Sequence, residues 1–168
     1  MNRSTGETTG GETPIRIRAH TLLCLQGFRG LGYSPEFVSE MQRVRDYLWR
    51  SPHAQVEVIS GADVFCERCP HHHRGRCTAD DPEDCPVPLD SPDNAVLKDR
   101  RVLSWLGLKE GTVQDWCLIL SKVAKTVDSS VLDVLCGDCS WREYPYCAEA
   151  LDDLHWKAMS GEALFQPE

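Results

Sequence analysis

Apolar residues recur at helical spacing through most of this chain and lose that rhythm between residues 61 and 90. Phe37, Met41, Val44 and Leu48 stand four, three and four residues apart, which predicts an amphipathic helix. Ser34 is suited to cap it, Pro35 to open its first turn and Pro52 to stop it. Ahead of it, Ile15-Arg16-Ile17-Arg18 alternates as a short strand does. Residues 19–27 read as a helix carrying Leu22, Leu23 and Leu25, with Gly27 as its stop. Residues 55–60 form a second short strand candidate. Further helices are predicted over 93–106, with Val96, Leu103 and Leu106 on one side, and over 113–127, with Trp116, Leu120 and Val123 inward. A helical turn over 130–135 and a last helix over 148–159, with Leu151, Leu154 and His155, complete the pattern. The fold class expected is mainly α with one or two short β-strands, a small α+β domain organised around two cysteine-rich metal loops.

Domain organisation is simple. Residues 1–13 have no apolar stretch and read as a disordered N-terminal tail, leaving 14–168 as a single cysteine-rich domain. A length of 168 residues suits one domain with a fair core. The 18 basic against 26 acidic residues give a net charge of -8, with no basic stripe for phosphate contacts, so nucleic acid is not an expected partner. No apolar run approaches the ~20 residues that span a bilayer, so no membrane is expected either. The setting expected is cytoplasmic and reducing, where clustered thiols point to metal rather than to disulfides. An odd count of nine cysteines also argues against complete pairing.

Cysteine spacing says more than cysteine number. Cys66, Cys69 and Cys77 form C-x2-C-x7-C, and seventy residues later Cys136, Cys139 and Cys147 repeat that spacing. Thiols that converge on one inorganic centre need such a pattern: the x2 turn sets two sulfurs side by side and a longer loop returns the third. The flanking residues FCERCPHHHRGRC and LCGDCSWREYPYC share little else, so the repeat is one of ligands and not of fold. Each triplet lacks a fourth donor, for which Cys24, Cys85, Cys117 and His20 are the candidates. His20 and Cys24, four apart, would share one helical face. Cys85 would complete a contiguous set of four with the first triplet. Cys117, inside Trp116-Cys117-Leu118-Ile119-Leu120, reads as a buried packing thiol. Two assignments stay open. One groups Cys66, Cys69, Cys77 and Cys85, and separately Cys136, Cys139, Cys147 and Cys24. The other gives Cys24 to the first triplet and His20 to the second. Spacing alone fits zinc and iron–sulfur alike, since thiolate-rich sites suit both.

Other polar runs have plainer readings. His71-His72-His73 reads as a solvated surface run, and Asp80, Asp81, Glu83 and Asp84 as a solvated acidic loop. No phosphate-binding glycine loop and no H-E-x-x-H is present, nor the C-x3-C-x2-C run of radical-SAM enzymes.

The segment from Arg16 through Ala19-His20-Thr21-Leu22-Leu23-Cys24 to Gly30, followed by Gly32-Tyr33-Ser34-Pro35, resembles the domain of unknown function 1284 family. The likeness continues through Cys66-Glu67-Arg68-Cys69-Pro70 and Cys77, then Val102 to Leu108, then Cys136-Gly137-Asp138-Cys139 and Tyr146-Cys147, covering residues 15–151. These are small bacterial and archaeal proteins regarded as iron–sulfur binders. The resemblance implies His20, Cys24, Cys66, Cys69, Cys77, Cys136, Cys139 and Cys147 as ligand candidates. Thr21 stands where the family often has a second histidine, and Cys85 sits in an acidic loop that looks like an addition. The expectation is therefore a soluble iron–sulfur protein with one or two clusters of the 4Fe-4S type. It would serve electron transfer or act as a cluster-bearing accessory, docking a redox partner with a basic face. A zinc-stabilised interaction module is the alternative, and an enzyme with an open cluster site a third reading.

Overall fold

The structure, a computed structural model, describes residues 13–73, 76–77, 95–137 and 139–165, with the backbone alone at His73, Arg76 and Cys77. Strand β1 (Ile15–Arg18) leads into helix α1 (Thr21–Gly27) and then the long helix α2 (Pro35–Arg50). Ser34 caps α2 as its side chain predicts, accepting from the Phe37 N–H at 3.1 Å. Met41, Val44 and Leu48 are its buried stripe. Strand β2 (Gln55–Ile59) returns parallel to β1, which the intervening helices make possible. A 3-10 turn over Cys66–Arg68 follows, then a two-residue hairpin of β3 (His72–His73) and β4 (Arg76–Cys77). Helix α3 (Ala95–Leu106), strand β5 (Thr112–Asp115) and helix α4 (Trp116–Thr126) come next. A 3-10 turn over Ser129–Val131 runs into α5 (Leu132–Leu135), and α6 (Tyr146–Ser160) closes the described chain.

The sheet order is β1-β2-β5, with β5 antiparallel to β2 and Asp115 opposite Gln55. Helix α6 packs on both α1 and α4, and α3 packs on α4. Between them lies a core of Ile17, Leu22, Leu25, Val56, Trp116, Ile119, Leu120 and Leu151. Such burial is worth about 1.5–3 kcal/mol for each large side chain, the main term holding α1 against α6.

The expected fold class holds at the level of a mainly helical chain with a small sheet. It is corrected in two places. In place of the one or two strands expected, a three-stranded sheet and a separate hairpin are present among the described residues. The helix expected over 113–127 starts only at Trp116, because Thr112–Asp115 pairs along β2 and forms β5. Gln114 and Asp115 carry no apolar signal, so only the partner strand reveals this segment as sheet. Most of the predicted tail, residues 1–12, lies outside the described residues, as do Cys85 and the acidic loop around it.

Candidate metal centre

The second cysteine triplet is assembled by the end of α5, the turn after it and the start of α6. Cys136 terminates α5, its N–H donating to Leu132 O at 2.8 Å. The chain then turns at once, with Cys139 N–H donating to Cys136 O at 3.2 Å and Arg142 N–H to Cys139 O at 3.0 Å. Cys147 lies in the first turn of α6, where free backbone N–H groups and the helix dipole favour a negative sulfur. Helix α1 brings Cys24 to the same place. Gly27 permits that approach: a Cβ there would sit 2.6 Å from both Cα and Sγ of Cys147. Gly27 ends its helix as expected, but α1 closes with extended backbone at Phe28 rather than through a left-handed glycine. The absent side chain matters because another helix passes through its space.

Electrostatics tie these four thiols together. Burial raises the Cys24 thiol well above its ordinary value, and the neighbouring sulfurs of Cys136, Cys147 and Cys139 raise it further, against Lys98. Cys136 is pushed up to about 11 by burial and then by Cys139, with Lys98 and Arg142 opposing. Cys147 is raised by burial and by Cys139, with Arg142 and Arg29 opposing. Thiols placed so that the sulfurs around Cys24, Cys136 and Cys147 resist their ionisation form a site that a cation would stabilise, since metal charge inverts that repulsion.

The first triplet is built differently. Cys66 opens its 3-10 turn and Cys69 ends it, with Cys69 N–H donating to Cys66 O at 3.0 Å. His72 N–H donates to Cys69 O at 3.0 Å, and the hairpin then places the backbone of Cys77 opposite His72. Cys66 is buried, and its sulfur accepts from Asp63 N–H at 3.3 Å while facing Asp63 Oδ1 at 3.4 Å. Burial and the charge of Asp63 push its thiol up to about 12.

Two buried carboxylates, neither of them prominent in the sequence, tie the first loop to the end of β1 and the start of α1. Asp63 accepts from the N–H groups of Arg18 at 3.0 Å and Phe65 at 3.1 Å, fastening the first loop to the end of β1. Burial raises its carboxyl, against the pull of those bonds and of Arg18. Asp99, fully buried on α3, receives Arg18 at 2.7 Å, His20 Nδ1 at 2.8 Å and the backbone N–H groups of His20 and Gly61, both at 3.1 Å. Burial alone would raise the Asp99 carboxyl, but His20 and Arg18 together outweigh it and hold it below the usual range. His20, a ligand candidate on the strength of its spacing from Cys24, is therefore oriented by Asp99 through Nδ1. An aromatic bridge spans the outside. The ring of Tyr33 meets His71, between Cys69 and Cys77, and Trp141, just beyond Cys139, with centroids 4.8 Å away in each case.

Of the predicted donors, the structure brings Cys24, Cys136, Cys139 and Cys147 into one electrostatic group and sets Cys66 and Cys69 in a second. Cys117 departs from expectation. It is half-buried rather than enclosed in the core, because Trp116 takes the inward position on α4. A chemical signal for Asp99 is available in its spacing, since Ala95, Asp99, Val102, Leu103 and Leu106 form one buried stripe with a charge in its midst.

A family model described as Protein of unknown function (DUF1284) matches residues 32–145. That span contains Cys66, Cys69, Cys77, Cys136 and Cys139 and stops short of Cys24 and Cys147. No curated protein and no solved structure matches the chain.

Proposed function

The chain belongs to the domain of unknown function 1284 family, and from that premise we propose that it is an iron–sulfur protein of electron transfer. Cys24, Cys136, Cys139 and Cys147 would hold a 4Fe-4S cluster, and Cys66, Cys69 and Cys77 would belong to the other centre, in the first cysteine loop. The observation that supports this reading is the convergence of four thiols, from α1, the end of α5, the turn after it and the first turn of α6, into one group in which Cys136, Cys147 and Cys139 all act on Cys24. In a four-iron cluster each thiolate binds a different iron, which suits donors delivered by separate elements.

When bound, such a cluster accepts and returns one electron. The protein's own part is to hold the four sulfurs on α1, at the end of α5, in the turn after it and in the first turn of α6, to keep Lys98 and Arg142 near them as counter-charges, and to limit water around Cys24. An acidic chain with a net charge of -8 would meet a partner with a basic face, in an association that salt weakens.

The first loop supports the zinc alternative for its own centre. A C-x2-C turn followed by a small hairpin is a form that structural zinc sites use to order short loops. Elemental analysis of anaerobically purified protein tests both readings. Iron and sulfide in equal amounts, about four of each per cluster, and a paramagnetic signal after dithionite are expected. A colourless protein that holds only zinc would overturn the electron-transfer reading.

A further inference from the structure

Three donors of different kinds meet at the far end of the sheet from the cysteine loops. His53 lies in the turn between α2 and β2, Asp115 at the end of β5, and Cys117 in the first turn of α4. Their ligand atoms all fall within 4.8 Å of one another. The cysteine centres follow from the opposite end of the same strands, where Arg18 pairs with Ile59. The length of β2, about 13 Å at ~3.3 Å per residue, therefore separates the two ends.

From this juxtaposition we propose that His53, Asp115 and Cys117 form a zinc site with its fourth position open to solvent. The donor set selects the metal. One imidazole nitrogen, one carboxylate oxygen and one sulfur suit a borderline cation such as Zn2+, whereas magnesium and calcium want oxygen alone. Three protein ligands with one position left for water or substrate is the form of a catalytic rather than a structural zinc site. His53 keeps that side accessible, with its side chain 83% exposed.

The site is built by the backbone and not by chance side-chain proximity. Cys117 N–H donates to Pro52 O and Trp116 N–H to Ala54 O, both at 2.8 Å, so the turn carrying His53 is locked onto the start of α4. Asp115 is fixed by its register opposite Gln55, whose Nε2 donates to Oδ1 and leaves Oδ2 turned toward His53. His53 Nδ1 and Asp115 Oδ2 lie 2.9 Å apart. Tetrahedral zinc would hold such a pair roughly 3.3 Å apart, a change of a few tenths of an ångström. Hydrogen bonds from His53 and then Gln55 hold the Asp115 carboxyl below its usual range, so it is ionised and available to a cation. Cys117 stands at the N-terminal end of α4, where the helix dipole suits a negatively charged ligand. Zinc would then take the place of the hydrogen between His53 Nδ1 and Asp115, which moves to Nε2 of the neutral ring, and would release the thiol proton of Cys117 as it binds. An exposed histidine–aspartate pair contributes little to stability, so stability alone gives the arrangement no purpose.

The test uses the full chain, purified anaerobically with its native metal content, and zinc ion as the probe. Zinc should bind with one more equivalent per chain in the parent than in either Cys117→Ser or His53→Gln, with iron content equal in all three. Gln55→Ala, which removes a positioning residue, should weaken that zinc about 10–100-fold without abolishing it. In the unmutated chain, zinc should protect Cys117 from iodoacetamide, as read by peptide mass spectrometry, and this readout does not depend on any variant folding. Equal zinc in parent and variants, or alkylation of Cys117 unaffected by zinc, would overturn the site.

Discussion

The two cysteine loops share one spacing and differ in what holds them. Around Cys136, Cys139 and Cys147 the donors sit at the end of α5, in the turn after it and at the start of α6, with α1 adding Cys24, and the flanking elements bury Leu22, Leu25, Leu132, Leu135 and Leu151. Around Cys66, Cys69 and Cys77 the scaffold is a 3-10 turn and a hairpin of two-residue strands. The second centre is thus positioned by core packing, the first by polar bonds to Asp63. Equal ligand spacing does not imply equal pre-organisation. In the packed region metal would be added to geometry already present, whereas in the hairpin region it would supply much of the ordering itself.

The strongest way to break the contrast is to disable both regions together. Asp99→Asn removes the buried carboxylate charge that Arg18 pairs with and loosens both the entry to α1 and the anchor of the first loop. It should cost about 3–5 kcal/mol by urea unfolding at neutral pH. The pH dependence follows in sign. Because the Asp99 carboxyl is held below its usual range, its contribution is fully present above the ordinary carboxylate pKa of about 4 and fades as pH falls through the lower folded-state value. The Asp99→Asn variant should lack that acid-limb loss, and a parental profile in the variant would refute the assignment.

Gly27→Ala sharpens the contrast by acting on the packed region alone. The added methyl meets Cys147, so α1 must shift off α6 at a cost of about 1–3 kcal/mol. Metal content should fall at the centre of Cys24, Cys136, Cys139 and Cys147 and persist at the other, read as a partial loss of metal per chain. Asp63→Ala is the converse. It removes two acceptors from the first loop, for about 1–3 kcal/mol, and should speed alkylation of Cys66 while leaving the metal of the second centre in place. Reactivity of Cys66 unchanged from the parent would mean that burial alone protects it. The smallest effect is expected of Tyr33→Leu. Tyr33 is 48% exposed, so its ring contacts together are worth about 0.5–1.5 kcal/mol, and the loss should appear as weaker coupling between Asp63→Ala and Gly27→Ala in a double-mutant cycle.

Much of this is legible in the sequence for a physical reason. Helix α2 is readable to within a residue or two because its cap, its first-turn proline and its apolar stripe all agree. The two cysteine triplets stand out because spacing survives without knowledge of the fold. Strand β5 is not, since its residues become sheet only by pairing with β2. Asp63 and Asp99 escape notice because a lone aspartate in sequence looks solvated; only the fold reveals the Arg18, His20 and backbone donors that surround it. The choice between Cys24 and Cys85 as donor beside Cys136, Cys139 and Cys147 is likewise a matter of tertiary packing. The structure sets Cys24 there, while Cys85 lies outside the described residues. His53, Asp115 and Cys117 come from three elements and carry no shared spacing.

The placement of Cys24 on α1 also sets an order of events during synthesis. Cys66, Cys69 and Cys77 leave the ribosome within one short stretch and can meet as soon as their hairpin forms. Cys24 emerges long before Cys147, and α1 lacks its packing surface on α6 until that last helix exists. An early thiol must therefore wait, unsheltered, through the translation of nearly the whole domain. Maturation of the second centre would then depend on the rate at which the rest of the chain is made, and on how long one exposed cysteine stays reduced in the meantime.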